Sequence, residues 1–122
     1  MKKIAFLTCF VLLGIVSMAQ NSSVKFKETR HIFGNVELNK PATAKFTFTN
    51  TSDKPLIIET ATASCGCTTP EYPKKPILPH KSATISATYN AAVAGHFDKS
   101  VTVKFAGIEQ PVILVITGDV VK

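Results

Sequence analysis

Ala42-Thr43-Ala44-Lys45-Phe46-Thr47-Phe48-Thr49-Asn50 alternates an alanine or phenylalanine with a polar residue at every step. In an extended chain successive side chains point to opposite sides. Ala42, Ala44, Phe46 and Phe48 therefore share one face, and Thr43, Lys45, Thr47 and Thr49 share the other. One buried and one wetted face is the pattern of an antiparallel strand laid on a core. The pattern recurs downstream. Ala83, Ile85, Ala87 and Tyr89 oppose Thr84, Ser86 and Thr88, while Phe97, Lys99, Val101, Val103 and Phe105 oppose Asp98, Ser100, Thr102 and Lys104.

Working outward, residues 24–28 alternate apolar and charged side chains and predict an opening edge strand. Residues 31–36 predict the next strand, with Gly34 allowing a bend or bulge. Residues 50–55 (Asn-Thr-Ser-Asp-Lys-Pro) predict a turn whose side chains hydrogen-bond their own backbone. A strand resumes over 56–62. Residues 63–82 carry four prolines, Cys65 and Cys67, and no alternation, which predicts a stiff extended surface loop that Ile77 and Leu78 tuck against the core.

Residues 90–95 turn the chain, and 106–110 form a short hairpin connection. Residues 111–121 are apolar on both faces through 112–116, which predicts a central position in a sheet. No useful window shows a helical period. The expected fold is all-β, an immunoglobulin-like antiparallel β-sandwich of about seven strands. There is no tryptophan and no widely spaced cysteine pair to bridge two sheets, so packing of Phe, Ile, Val and Leu must hold it.

The first nineteen residues read differently. Lys2 and Lys3 precede a 13-residue apolar run over 4–16, and Ser17-Met18-Ala19 places small residues ahead of a cleavage point between Ala19 and Gln20. A membrane-spanning helix needs roughly 20 apolar residues, and polar residues begin at Gln20. A cleavable signal peptide (1–19) is expected, followed by one β-sandwich domain (20–122) exported to the periplasm or beyond. Leu7-Thr8-Cys9 is not read as a lipidation site, because most of the apolar run follows Cys9 rather than ending at it.

Loss of Lys2 and Lys3 lowers the formal charge from +6 to +4. The remaining positive charges are scattered, with Lys74-Lys75 the only adjacent pair. A nucleic-acid partner needs a clustered basic face, so none is expected, nor a membrane partner after cleavage. There is no G-x-S-x-G elbow, P-loop or H-E-x-x-H, and the acidic residues stand singly, so no catalytic residues are assigned and a non-enzymatic protein is expected.

Ser64-Cys65-Gly66-Cys67-Thr68 is the unusual segment. Two sulfurs separated by one glycine admit three readings. The first is a disulfide or thiol pair that fixes the loop, which an oxidising compartment permits. The second is redox exchange, which needs a nearby cation to stabilise a thiolate; Lys74, Lys75, His31, His80 and His96 are the candidates. The third is soft-metal capture by Cys65 and Cys67 with His80 or His96, a set suited to copper(I) or zinc. The histidines are spaced 49 and 16 residues apart, unlike a local zinc finger, and no cofactor is assigned.

Residues 31–36 (His-Ile-Phe-Gly-Asn-Val), 46–51 (Phe-Thr-Phe-Thr-Asn-Thr), 55–58 (Pro-Leu-Ile-Ile), 64–68 (Ser-Cys-Gly-Cys-Thr) and 95–97 (Gly-His-Phe) resemble, in order, successive blocks of the bacterial domain of unknown function fifteen seventy-three. The resemblance implies an immunoglobulin-like sandwich akin to major-sperm-protein and ASH-type domains. It also implies an exported protein of Bacteroidetes-like bacteria. It implies no activity. One departure is His80 after Pro79, where such domains often have glycine; a turn that needs positive φ is strained by a histidine. The expected partner is another envelope protein, met through the 24–28 edge or the Cys/Pro-rich loop.

Overall fold

The computed structural model describes residues 23–122. The expected leader, Cys9 and the Ala19–Gln20 cleavage point lie outside them. The described residues form eight strands: β1 (Val24–Phe26), β2 (Arg30–Glu37), β3 (Ala42–Asn50), β4 (Ile58–Ala63), β5 (Thr68–Glu71), β6 (Ser82–Tyr89), β7 (Gly95–Phe105) and β8 (Val112–Val121). They make two four-stranded sheets, ordered β1-β3-β6-β5 and β2-β8-β7-β4.

The alternation that predicts β3 also dictates its pairing. The antiparallel β3–β6 register sets Ala44 beside Ala87 and Phe46 beside Ile85, which joins the two apolar faces into one buried surface. On the outer face of the same pair, hydroxyls meet across the strands, Thr43 with Thr88 at 2.8 Å and Thr49 with Ser82 at 2.8 Å. Facing this sheet, β7 and β8 supply Val101, Val103, Phe105, Leu114 and Ile116, all buried. The rings of Phe48 and Phe105 meet across the sheets at 5.7 Å, and Tyr89 stacks on Phe97 at 3.9 Å. Each such side chain contributes roughly 1.5–3 kcal/mol by burial. Packing of these side chains closes the two sheets on one another.

Several local expectations change. The 63–82 segment is not all loop: β5 lies within it and pairs with β6, with Pro70 opposite Ala87. An edge strand tolerates proline because the missing N–H removes no ladder bond on its open side. That strand raises the count from seven to eight. β1 is shorter than 24–28, ending at Phe26. The strand predicted over 56–62 begins at Ile58, because Leu56 makes a single bridge to Ile77 instead. Ile77 is buried, but Leu78 projects to solvent at 56% exposure. β2 and β8 run parallel, so one sheet is mixed rather than antiparallel.

β8 is central, between β2 and β7, although its outer side is open and Ile113 stays exposed. Gly34 takes φ +71° within β2 and coincides with the register shift between Ile32 and Asn35, the bulge its sequence suggests. The 50–55 turn forms as expected around Asn50. Its side-chain oxygen accepts from the Ser52 N–H (3.0 Å) and hydroxyl (2.7 Å). Its amide donates to the carbonyls of Lys54 (2.7 Å) and Ile77 (2.9 Å). A fully buried asparagine is thereby satisfied at all four bonds.

Candidate functional site

The Cys-Gly-Cys turn carries the chain from β4 in one sheet to β5 in the other. The β4–β7 ladder ends at Ser64 for a local reason. Its N–H bonds the Ser100 carbonyl at 2.8 Å, but its hydroxyl takes the return bond from the Ser100 N–H at 3.1 Å. The backbone is then free to leave the sheet. The Thr68 N–H reaches back to the Cys65 carbonyl at 3.4 Å, and the Asn90 N–H donates to the Cys67 carbonyl at 2.9 Å. Backbone bonds therefore hold the turn at its start, middle and end.

Within this frame Cys65 and Cys67 are bonded through their sulfurs, with their Cα atoms 5.3 Å apart. The Thr68 hydroxyl, on a buried residue, lies 3.9 Å from each sulfur. Both cysteines are half-buried, and Cys67 packs against the hydrophobic core. A ring closed over three residues restricts the unfolded chain little. The chain-entropy relation gives about 1.6 kcal/mol for it, roughly half the about 3 kcal/mol of a fifteen-residue loop.

Gly66 sits between the sulfurs without a conformational reason to be glycine. Its φ lies outside the left-handed region, and a Cβ on it meets no atom of any residue beyond Cys65 and Cys67 within 4 Å. The space over the middle of the turn is open.

The proposed cations and ligands are scattered. His80 lies at the opposite end of the sandwich, beside Asp53 at 3.8 Å, with its N–H bonded to the Asn50 carbonyl. It adopts φ +64°, so the turn after Pro79 does take the left-handed conformation. His96, the second residue of β7, pairs with Asp119 at 3.1 Å, and His31 pairs with Glu28 at 3.2 Å. Lys74 lies over the Tyr72 ring at 3.5 Å, beside a shallow groove between β5 and β6. Among the described residues, His, Cys, Asp and Glu nowhere gather in threes fit to hold a metal.

Sequence alone does not reveal that Ser64, at the start of the turn, pairs with Ser100. That relation needs the β4–β7 register, which no local pattern reveals. The same end of the sandwich gathers other loops: Asn90 bonds the cysteine turn, and Ala91 next to it accepts from the Asn39 N–H at 2.8 Å. Among the described residues no helix is long and apolar enough to cross a membrane.

Comparison with known proteins places the chain. The profile of DUF1573, described as a protein of unknown function, matches residues 24–120, and the chain belongs to this family. A search of curated proteins by sequence finds no match. Among solved structures, the chain is similar to the ASH / PapD-like domain 7 of human CEP192, with TM-score 0.69 and 8% identity, covering 82% of this chain and 86% of that one. It is also similar to a protein of unknown function from Porphyromonas gingivalis, with TM-score 0.70 and 12% identity over 80% of this chain and 46% of that one. The VesB protease of Vibrio cholerae matches with TM-score 0.62 and 16% identity over 80% of this chain, which spans only 32% of the protease. At these identities the likeness is one of fold, and it supports an immunoglobulin-like sandwich of the ASH and PapD kind.

Proposed function

We propose that this member of the DUF1573 family is an exported, non-enzymatic binding or structural module of the bacterial cell envelope. The leader-like residues 1–19 support export to the periplasm or the exterior. No set of nucleophile, base and oxyanion donors is recognisable among the described residues, which favours binding over catalysis.

The observation that carries the reading is β2. It is an eight-residue strand that pairs with β8 along one side and with no other strand among the described residues. Ile32 projects from it at 70% exposure. An extended segment of another envelope protein can add to such an edge, gaining main-chain bonds from the ladder and selectivity from alternate side chains. β1, with three residues, offers a shorter ladder than the 24–28 edge expected from sequence. The cysteine turn and its neighbouring loops form a second contact region.

The test is recovery of partners from envelope extracts by the processed protein and by Ile32→Lys. Ile32 is exposed, so the variant should fold normally and lose partners. Undiminished recovery contradicts the edge. A parallel Cys65→Ser/Cys67→Ser sample shows whether the turn contributes. Intact mass of exported material should begin at Gln20.

A further inference from the structure

We infer that the Cys65–Cys67 disulfide is a thiol-exchange site, at which a partner protein bearing an accessible cysteine is captured as a mixed disulfide. The inference rests on the export reading, because only an oxidising compartment keeps such a bond formed.

Two independent observations support it. The turn does not need the bond: Ser64, Thr68 and Asn90 hold it through backbone hydrogen bonds, and β4 and β5 are each paired to a different neighbour. A bridge over three residues also adds little as a staple. The fold therefore tolerates the bond open or closed, as an exchange site requires. Gly66, in turn, has a φ outside the left-handed region, and a Cβ on it would meet no atom of any residue beyond Cys65 and Cys67 within 4 Å. No residue from elsewhere in the fold therefore crowds the middle of the turn. Exchange proceeds through attack along the S–S axis, so access to sulfur governs its rate.

The two sulfurs are also unequal. Both residues are half-buried, but Cys67 packs against the core and Cys65 is not among the residues that do. The partner's thiolate attacks Sγ of Cys65, and a new S–S bond joins them. The Cys65–Cys67 bond breaks, and its electron pair leaves on Sγ of Cys67, which takes up the proton that the partner thiol released. The partner's sulfur is oxidised and that of Cys67 reduced, one disulfide replaces another, and no outside oxidant or reductant is consumed. Cys67, held one residue beyond the pivot, can later attack the mixed bond at Cys65 and release the partner with its thiol restored.

The experiment uses the processed full chain and a synthetic peptide with one cysteine, followed by acid quench and intact mass. Wild type should gain one peptide while its melting curve stays cooperative, and fragmentation should place the peptide on Cys65. Gly66→Val should melt like wild type and react more slowly, by about tenfold, which corresponds to about 1.4 kcal/mol of barrier. Gly66→Ala should fall between them. Absence of an adduct with folded wild type overturns the proposal, and so does an unchanged rate for Gly66→Val. A peptide found on Cys67 overturns the assigned direction of attack. Adduct formation beside failed partner recovery by the wild-type edge would count against the binding reading alone.

Discussion

The N–H of Asn90 donates to the carbonyl of Cys67 at 2.9 Å, so the end of β6 grips the cysteine turn without using either sulfur. With the Ser64–Ser100 bonds at the other end, this grip makes the turn a consequence of sheet pairing rather than of the disulfide.

Replacing both cysteines should therefore cost little. Cys65→Ser/Cys67→Ser is expected to lose about 1–2 kcal/mol of stability in urea titration, the scale of a three-residue ring. A loss above about 3 kcal/mol would assign the bridge a main structural role.

Asn50 should matter more, although nothing reactive lies near it. Its amide bridges the carbonyls of Lys54 and Ile77 from a fully buried position. Asn50→Ala strands both acceptors and should destabilise by about 2–4 kcal/mol. Asn50→Asp presents a carboxylate to two carbonyl oxygens, which favours the protonated form in the folded state. The folded pKa is then raised, the native state binds the extra proton, and stability should fall as pH rises through the carboxylate range. Denaturant midpoints at pH 4 and pH 7 check this. A higher midpoint at pH 7 contradicts it.

Gly118 and Gly66 make a matched pair of tests. A Cβ on Gly118 would come within 2.9 Å of both the Gly34 carbonyl oxygen and the Phe97 ring, whereas one on Gly66 meets open space. Gly118→Ala should cost about 1–3 kcal/mol through overpacking. Gly66→Ala should be neutral or stabilise by about 0.4–1 kcal/mol, by restricting the unfolded chain. Thermal melts of the two variants measured together decide between these signs.

His80 holds a left-handed backbone at φ +64°. A side chain there costs about 1–2 kcal/mol, partly offset by the freedom a glycine gains on unfolding. His80→Gly should stabilise by up to about 1 kcal/mol. The exposed contact with Asp53 at 3.8 Å is too weak to reverse that sign.

Much of this architecture is legible from alternation, because period-two burial depends only on neighbouring residues. β3 spans the residues its pattern predicts, and β8 is central as its apolar run suggests. β5 was hidden, since Pro70 argues against a strand until its edge position is known. The parallel β2–β8 pairing was hidden too, because parallel and antiparallel partners share one alternation. At the site, the unusual Cys-Gly-Cys segment was visible. The partners of the turn, Ser100 and Asn90, were not, because they depend on which strands become neighbours.

The most direct test of the claim that pairing, not sulfur, shapes the turn is amide hydrogen exchange at Ser64, Thr68 and Asn90 in the oxidised and the reduced protein. Protection at all three should agree between the two states within about 0.5 kcal/mol of opening free energy. Loss of protection at these amides, spreading into β4 and β5 on reduction, would contradict it.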